Sequence, residues 1–405
     1  MVARSNSSFM LDAKLEDAVG LIRRNSWKTD DLPPDFPEMG LGELATLELL
    51  APYVIGRAAR LDSTKAMANM DPPTPWITWV MALWNARLNQ NLLHPSTAPF
   101  AKDAERRVLH WLSPLFGMQG GHMCSGSTLA NLTALWVARE SGNVQRIVAS
   151  ESSHLSIRKS AQLLQVPYDE VPATRFGQLD VSRLDHLADA CLVLNAGTTA
   201  TGGIDQLELA GQANWTHIDA AWGGSLRFSS THSCKLAGIE KANSVAMSSH
   251  KLLMQPKDSA LVMFRDIDRS NSVISFSSGY LAEPNIGIQG SRGAAANLLL
   301  GTLLTFGRVG IEEMIDHLMG MADSLAERLR ACQTIELLCL PTTGVVVFRP
   351  RSKHTQDLYQ KLPEGMVSMC VVYGEDWLRA VAANPFANID LIADSIESAA
   401  GEKNR

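Results

Sequence analysis

Five short, almost wholly apolar runs in the middle of the chain constrain its fold more than any other feature. Each run has five to seven residues bordered by glycine, serine or histidine; the runs cover 146–150, 190–196, 215–221, 243–249 and 259–264. Helical patterns at 152–165 and 205–213 separate several of them. Buried strands that alternate with helices are typical of a mostly parallel sheet covered on both faces. The sequence therefore predicts an α/β fold.

The segments on either side of these runs predict an N-terminal arm and a second domain. Helical spacing at 11–24 and 41–51, joined by a proline-rich linker, supplies too little apolar material for an independent core, so we expect the arm to pack on another subunit. Further helical patterns cover 76–93, 99–116, 128–141 and 294–331. Strand patterns and a last helix follow at 336–340, 344–350, 366–373 and 388–400, as in a small α+β domain. The predicted domains are 1–70, 71–305 and 306–405.

The charge balance argues against nucleic acid and anionic membranes as partners. The 405 residues include 36 basic and 42 acidic side chains, a formal net charge of −6, without a long basic run. The most apolar segment, 294–311, is interrupted by polar residues such as Asn297 and Arg308. We therefore expect a buried helix there rather than a membrane span. This composition fits a protein that handles small molecules.

The cysteines and the N-terminus predict a cytoplasmic location. None of the six cysteines is spaced as C-x-x-C and no histidine pair completes a zinc site, so we expect no metal. Free thiols in a chain of this length are typical of a reducing compartment. Asp12, Glu16 and Asp17 interrupt the apolar stretch that a secretory signal would need.

Polar residues that can carry chemistry follow four of the predicted strands. His154 comes after the first run, Thr198 and Thr199 after the second, Asp219 near the end of the third, and Lys251 after the fourth. Ligands of open α/β sheets bind at the carboxyl ends of the strands, so we expect these side chains to meet at one edge. Singly, each has a structural explanation, such as a helix-capping aspartate or a surface lysine.

The segment 120–140 predicts a phosphate site. Glycine, serine and threonine lead into a helical pattern there, and small residues at a helix N-terminus let backbone amides and hydroxyls donate to an anion. The segment matches neither a Walker loop nor a dinucleotide-binding turn. Its serine and threonine could instead simply cap the helix. Together with an aspartate, a stacking ring and a lysine, a single phosphate site points to pyridoxal phosphate (PLP).

Several motifs resemble those of the group II PLP decarboxylases, which include glutamate, aromatic L-amino acid and cysteine sulfinate decarboxylases. The resemblance runs in order from about residue 70 to the C-terminus, through CSGSTLANLTAL (124–135), SHLSIRKSA (153–161), GTTATGGID (197–205), HIDAAWGG (217–224), SSHK (248–251) and WLRAVAANP (377–385). It implies fold type I of the PLP enzymes, as in aspartate aminotransferase, with a seven-stranded, mostly parallel sheet in the large domain. It also implies a homodimer with the active site at the subunit interface.

The resemblance assigns roles position by position. Lys251 becomes the Schiff-base lysine, Asp219 the partner of the pyridine nitrogen, and His154 and Ala221 the residues on the two faces of the ring. Thr199 lies close to the ring substituents. The phosphate is held by Ser125, Gly126, Ser127 and Thr128, with Ser248 and His250 nearby.

Two further assignments from the resemblance compete with simpler explanations. Arg379 matches an arginine that binds the substrate carboxylate in glutamate-type members, but it could be a surface residue of the small domain. Tyr280 matches a tyrosine on a mobile loop that reaches the active site of the other subunit, but it could serve ordinary packing.

The chain departs from the family pattern at three places. Cys124-Ser125-Gly126-Ser127 stands where Thr-Ser-Gly-Gly is usual. Ser248-Ser249 replaces an Asn-Pro pair, and Arg292-Gly293 stands where two arginines are common. Serine still donates to phosphate, so these changes leave the expectation of PLP in place.

The reaction predicted from the resemblance is α-decarboxylation of an L-amino acid to the amine and carbon dioxide. Alternatives are another PLP reaction on the same fold, such as carbon–carbon lysis or aldehyde synthesis coupled to decarboxylation, and a non-catalytic paralogue. Tyr280 favours simple decarboxylation, because relatives that make aldehydes tend to carry phenylalanine there. Lys251, Asp219 and His154 together argue against a non-catalytic protein. Arg379 favours an acidic substrate without identifying it.

Overall fold

The computed structural model describes residues 14–24, 26, 28–142 and 144–401. The chain divides into two compact units between Arg60 and Leu61. The first unit contains two helices, α1 (Lys14–Ile22) and α2 (Glu43–Val54). The part of the first predicted helix that covers 11–13 lies outside the described residues. The predicted domain boundaries after residues 70 and 305 stay predictions.

The second unit is built on a seven-stranded sheet with the order β1-β7-β6-β5-β4-β2-β3. Its strands are β1 (Gly120–Cys124), β2 (Arg146–Ser150), β3 (Tyr168–Val171), β4 (Ala190–Asn195), β5 (Trp215–Asp219), β6 (Ser244–Ser248) and β7 (Ala260–Phe264). Neighbouring strands are parallel from β3 to β6, whereas β7 is antiparallel to both β6 and β1. The mostly parallel sheet is therefore confirmed.

All five predicted strands form, because each is apolar on both of its faces. Every residue of β4, β5, β6 and β7 is buried. The sequence did not predict β1, because its two glycines fit the glycine-serine pattern of a phosphate loop equally well. It also did not predict β3, an edge strand in which Asp169 and Glu170 are exposed.

The helices that cover this sheet begin close to their predicted positions, except the helix at Ile267–Val273, which was not predicted. They are α3 (Trp76–Leu88), α4 (Pro99–Leu112), α5 (Ser127–Ser141), α6 (Leu155–Leu164), α7 (Ile267–Val273) and α8 (Ala295–Ala331). Gly307, with φ 60° and ψ −175°, breaks α8 into two helical parts. The break falls within the apolar segment 294–311, and Leu299 and Leu300 of the first part are buried. In the described part of the chain, no helix has the length and apolar character needed to cross a bilayer.

The helix predicted at 205–213 is wrong. Only a single 3-10 turn forms there, at Leu207–Leu209. The Asp205 carboxylate instead accepts hydrogen bonds from the backbone amides of Leu179 and Asn195, which lie earlier in the chain, at 2.7 Å each. Gly211 then takes a positive φ of 88°. The connection between β4 and β5 is consequently an irregular loop anchored by a buried carboxylate.

The C-terminal part forms a second sheet with the strand order β10-β11-β13-β12. Its strands are β10 (Ile335–Leu337), β11 (Val345–Pro350), β12 (Ser368–Val372) and β13 (Glu375–Val381), with helices α9 (Thr355–Lys361) and α10 (Ile389–Gly401). The sequence did not predict β13. The chain after residue 60 is tied to this sheet, since Val381 N donates to Met67 O at 2.6 Å. Between β7 and α8, β8 (Ser275–Phe276) and β9 (Asn285–Ile286) form a short hairpin-like pair.

Candidate active site

The register of the large sheet brings the predicted site segments to one edge. Asp219, the last residue of β5, lies opposite Ala246 of β6, and Ser248 at the end of β6 lies opposite Ala260 of β7. Ala260 in turn lies opposite Cys124, the last residue of β1. The loops after β1, β5 and β6, which carry the glycine-serine segment, Ala221 and Lys251, therefore leave the sheet side by side.

Asp219 is a buried carboxylate with two hydrogen bonds from the protein. Its side chain is 6% exposed. Oδ1 accepts from the backbone N of Ala221 at 3.0 Å, and Oδ2 accepts from Nδ2 of Asn131 at 2.9 Å. The two bonds hold the carboxylate in one orientation at the edge of the sheet. Asp219 can thus hold a positive charge or a proton at a group placed before it.

Lys251 follows β6 and its amine is shielded from water. Burial lowers the pKa of Lys251 below the usual value for lysine, and the nearby Asp219 charge partly opposes this shift. A lysine amine must be neutral to attack a carbonyl group, and burial raises its neutral fraction. Lys251 is therefore suited to form a covalent bond with an aldehyde.

His154 lies after β2 and caps the N-terminus of α6. Its Nδ1 lies 2.8 Å from Ser156 Oγ and accepts from Ser156 N at 3.2 Å. Burial lowers the pKa of His154, which favours the neutral imidazole. The residue lines a cavity of about 690 Å³, together with Thr199 from the loop after β4 and Tyr373 from the β12–β13 turn.

The segment between β1 and α5 has the features of an anion site. Gly126 precedes the first residue of α5 and no side chain caps that helix end. A Cβ built at Gly126 meets nothing within 4 Å, so there is open space before the helix. Ser125 N donates to Gln289 Oε1 at 3.0 Å, while Ser127 is half-buried and Thr128 is exposed.

Two hydroxyls on the adjacent loop lack partners. Oγ of Ser248 and Oγ of Ser249 are both buried and have no hydrogen-bond partner among the described residues. Buried hydroxyls normally form hydrogen bonds, so both oxygens are available to bond with a ligand. Together with the open helix N-terminus, Lys251 and Asp219, they fit the phosphate, aldehyde and ring nitrogen of PLP.

His250 points toward β7 in this arrangement. Its Nδ1 donates to the carbonyl oxygen of Ser259 at 2.8 Å, and burial lowers the pKa of the imidazole. Because Nδ1 carries the proton of the neutral ring, Nε2 is an acceptor.

Arg379 joins the small sheet to the site edge. It lies on β13, where its Nε donates to Ser368 Oγ at 3.0 Å and its Nη1 donates to the backbone carbonyl of Thr199. No carboxylate of the described residues forms a salt bridge with Arg379, and burial lowers its pKa. An arginine in such surroundings favours an anionic ligand.

Tyr280 lies apart from these groups within one chain. It belongs to the loop between β8 and β9 and is 69% exposed. Its ring is 6.2 Å from that of His94, centroid to centroid.

Sequence reasoning missed three buried polar residues behind Asp219. Asn131 on α5, Ser156 on α6 and His217 on β5 are all buried and hydrogen-bonded around the Asp219 carboxylate. A signal was present for His217, because a histidine two positions before Asp219 points to the same face of a strand. Asn131 lies one helical turn after Ser127, on the face of α5 that meets the sheet.

Comparison with known proteins agrees with this geometry. The family model described as the pyridoxal-dependent decarboxylase conserved domain matches residues 54–351. The chain is 30% identical over 355 residues to an L-2,4-diaminobutyrate decarboxylase of Rhizobium meliloti, covering 79% of this chain and 71% of that protein. It is 28% identical over 385 residues to an aspartate 1-decarboxylase of Aliivibrio fischeri, covering 79% and 70%.

Solved structures share the fold over nearly the whole chain. Mouse CSAD in its apo form superposes with a TM-score of 0.84 at 21% identity, covering 96% of this chain and 98% of that one. Oryza sativa TDC with PLP and tryptamine superposes with a TM-score of 0.83 at 19% identity, covering 98% and 97%. The expected fold type is thereby confirmed. The chain belongs to the pyridoxal-dependent decarboxylase family and is a PLP-dependent amino acid decarboxylase.

Proposed function

We propose that the edge formed by the loops after β1, β5 and β6 is the active site, at which an L-amino acid loses its α-carboxylate as carbon dioxide. One observation carries the proposal. Asp219 ends β5 and Lys251 follows the adjacent parallel strand β6, and both side chains are shielded from water. Ser125, Gly126, Ser127 and Thr128, with Ser248, hold the phosphate of PLP. Thr199 and Ala221 border the ring.

PLP, when bound, accepts the electron pair of the bond that releases carbon dioxide. Lys251, whose burial favours the neutral amine, would hold the aldehyde of the cofactor, and the substrate amine would react at the same position. Asp219 would keep a proton on the ring nitrogen, since Asn131 and the Ala221 amide hold its carboxylate in place. His154 packs on the opposite ring face from Ala221.

Arg379 binds a substrate carboxylate in this proposal. Its guanidinium donates to the backbone carbonyl of Thr199, a residue that lines the cavity, and an incoming carboxylate would give it an ionic partner. Serine and threonine side chains line part of the same cavity, among them Ser152, Ser153 and Thr201. The relatives named above act on diaminobutyrate and aspartate, which have short polar side chains. We infer a short, polar L-amino acid as the substrate.

The active protein in this proposal is a homodimer in the cytoplasm. The large helix α3 presents an exposed apolar face, with Trp76 at 65% and Trp84 at 56% exposure. Monomeric proteins rarely leave so large an aromatic patch in water. In this dimer, Tyr280 of the partner subunit would reach the site, where the phenol can donate a proton to the α-carbon.

The test is carbon dioxide release from holoenzyme incubated with aspartate, glutamate, cysteine sulfinate, diaminobutyrate and tyrosine. Lys251→Ala is expected to abolish release and the visible absorbance of bound PLP. Lys159→Ala, which changes an exposed lysine on α6, is the matched control. Normal turnover in Lys251→Ala would contradict the proposal, as would formation of an aldehyde in place of the amine.

A further inference from the structure

A continuous chain of buried hydrogen bonds runs from a tryptophan indole to the Asp219 carboxylate. Trp215 Nε1 donates to Ser244 Oγ at 3.0 Å, and Ser244 Oγ lies 3.0 Å from His217 Nδ1. His217 Nε2 lies 3.0 Å from Asn131 Oδ1, and Asn131 Nδ2 donates to Asp219 Oδ2 at 2.9 Å. All five side chains are buried.

The carboxylate end fixes the orientation of the asparagine. An ionised carboxylate only accepts hydrogen bonds, so Asn131 must turn its NH₂ group toward Asp219. Its carbonyl oxygen then faces His217, and since that oxygen also only accepts, His217 Nε2 must carry a proton. The position of this proton follows from chemistry at Asp219 rather than from an arbitrary choice of ring tautomer.

The Trp215 end of the chain gives the same direction of hydrogen-bond donation. Burial lowers the pKa of His217, so the ring is neutral and its Nδ1 has no proton. Nδ1 therefore accepts from the Ser244 hydroxyl, whose oxygen accepts from the Trp215 indole N–H, a group that can only donate. Every bond in the chain donates toward Asp219, and no donor or acceptor is used twice.

A side branch of the hydrogen-bond chain runs from Asn131 through Ser156 to His154. The second amide hydrogen of Asn131 is donated to Ser156 Oγ at 3.0 Å. The Ser156 hydroxyl then donates to His154 Nδ1, which also accepts the backbone N–H of Ser156. Neutral His154 thus carries its proton on Nε2. Asn131 is the one group that contacts both branches among the described residues.

We propose that Asn131 is a positioning residue, which holds the Asp219 carboxylate toward the PLP ring nitrogen and is itself held in the required orientation by His217, Ser244 and Trp215. The inference rests on the proposed function of Asp219. It explains why the buried polar side chains of Asn131, His217 and Ser244 lie behind the Asp219 carboxylate. Aspartate at position 131 would place a second negative charge beside Asp219, and leucine would leave both Asp219 and His217 without their partner.

The test measures PLP affinity and histidine tautomers in the full-length protein, without substrate. Asn131→Asp and Asn131→Leu are expected to raise the Kd for PLP about 10- to 100-fold, because a hydrogen bond to a charged group is lost. Asn384→Asp is the matched control, since it makes the same change at a buried asparagine that bonds to Ser63 O and Ala66 O instead. An unchanged Kd in folded Asn131 variants would overturn the inference.

A second pair of variants tests the relay if the Asn131 variants do not fold. His217→Leu removes the donor to Asn131 and is expected to raise the Kd for PLP about threefold to tenfold. His217→Gln can restore an N–H donor and is expected to bring the Kd back toward the wild-type value. Equal Kd values for these two variants would overturn the inference.

Nitrogen-15 NMR of histidine-labelled holoenzyme supplies an independent readout. His217 is expected as the neutral tautomer with its proton on Nε2, assigned by the signal lost in His217→Gln. A proton on Nδ1 would contradict the direction of the chain. Wild-type protein that binds no PLP would defeat the proposed function, whereas normal binding with unaffected variants defeats only the role of Asn131.

Discussion

Arg379 on β13 donates a hydrogen bond from its guanidinium to the backbone carbonyl of Thr199, in the loop after β4. The two residues are 180 positions apart, and the bond connects the four-stranded sheet with the edge of the seven-stranded sheet. Since Ser368 Oγ accepts from Nε of the same guanidinium, Arg379 is held from two sides, beside a residue that lines the cavity.

Replacement of Arg379 is expected to weaken substrate binding more than turnover. Arg379→Gln removes the charge that faces the substrate carboxylate, and we expect KM to rise about 10- to 100-fold. Steady-state kinetics with the preferred amino acid measure the effect. Arg349→Gln on the neighbouring strand, where the arginine already pairs with Glu336, is the control. An unchanged KM would assign Arg379 a packing role.

Replacement of Lys251 by an apolar side chain is expected to stabilise the PLP-free protein. Burial lowers the folded pKa of Lys251 from the usual 10.5, so between these two values the unfolded chain binds more protons. The lysine therefore destabilises the fold at neutral pH, and this penalty fades as the pH rises toward 10.5. Lys251→Met removes it.

Thermal unfolding of the PLP-free proteins at pH 7 and pH 10 measures this difference. Lys251→Met is expected to have the higher Tm at pH 7, and the gap to wild type is expected to narrow at pH 10. Lys159→Met, at an exposed position, should show no such gap. If the difference in Tm between Lys251→Met and wild type is the same at both pH values, the charge of the buried amine is not what destabilises the wild-type protein.

Tyr280 is expected to act on the active site of the partner subunit. Within its own chain it is exposed and its ring contact is with His94, so a role in proton donation needs a second copy. Tyr280→Phe is expected to lower amine formation about 10²- to 10⁴-fold, the usual contribution of a positioned acid. Product analysis with carbon dioxide release measures the loss.

Hybrid dimers decide whether Tyr280 acts in trans. A dimer of one Lys251→Ala chain and one Tyr280→Phe chain has one intact site if the tyrosine crosses the interface, so about half of wild-type activity is expected. If Tyr280 acts within its own chain, both sites are defective. An inactive hybrid, made from chains that are each folded, would refute action in trans.

The apolar face of α3 is expected to be the dimer contact. Trp84→Glu places a charge in the centre of the face whose exposed residues are Trp76, Trp79, Leu83, Trp84 and Leu88. We expect this variant to sediment as a monomer and to lose activity with the Tyr280 contact. Leu163→Glu makes a similar change at an exposed leucine of α6 and serves as control. A Trp84→Glu protein that sediments like wild type would exclude α3 from the interface.

Local sequence patterns predicted the strands that are buried on both faces. The five central strands are apolar on both faces, and each forms at nearly its predicted position. The edge strand β3 and the inner strand β13 both carry exposed charged residues and were not predicted, because part of their surface faces water. The helix expected at 205–213 fails since the carboxylate of Asp205 binds backbone amides of distant segments.

The chemical groups that the site can contain follow from the sequence alone. Lys251, Asp219, His154 and the serine-glycine segment each follow an apolar strand or precede a helix, and these are local features that a sequence displays directly. The motifs around them also identified the family and its cofactor. Residue type and position along the chain are enough for such inferences, since strand ends of a parallel sheet meet at one edge.

The contacts between these side chains, in contrast, depend on how distant segments pack. Asn131 and Asp219 are 88 residues apart, and their contact depends on the order and register of the strands between them. The same holds for His217 with Asn131 and for Arg379 with Thr199. Hydrogen bonds depend on distances within a few tenths of an ångström, and such distances are set by packing of distant segments, which local periodicity does not encode.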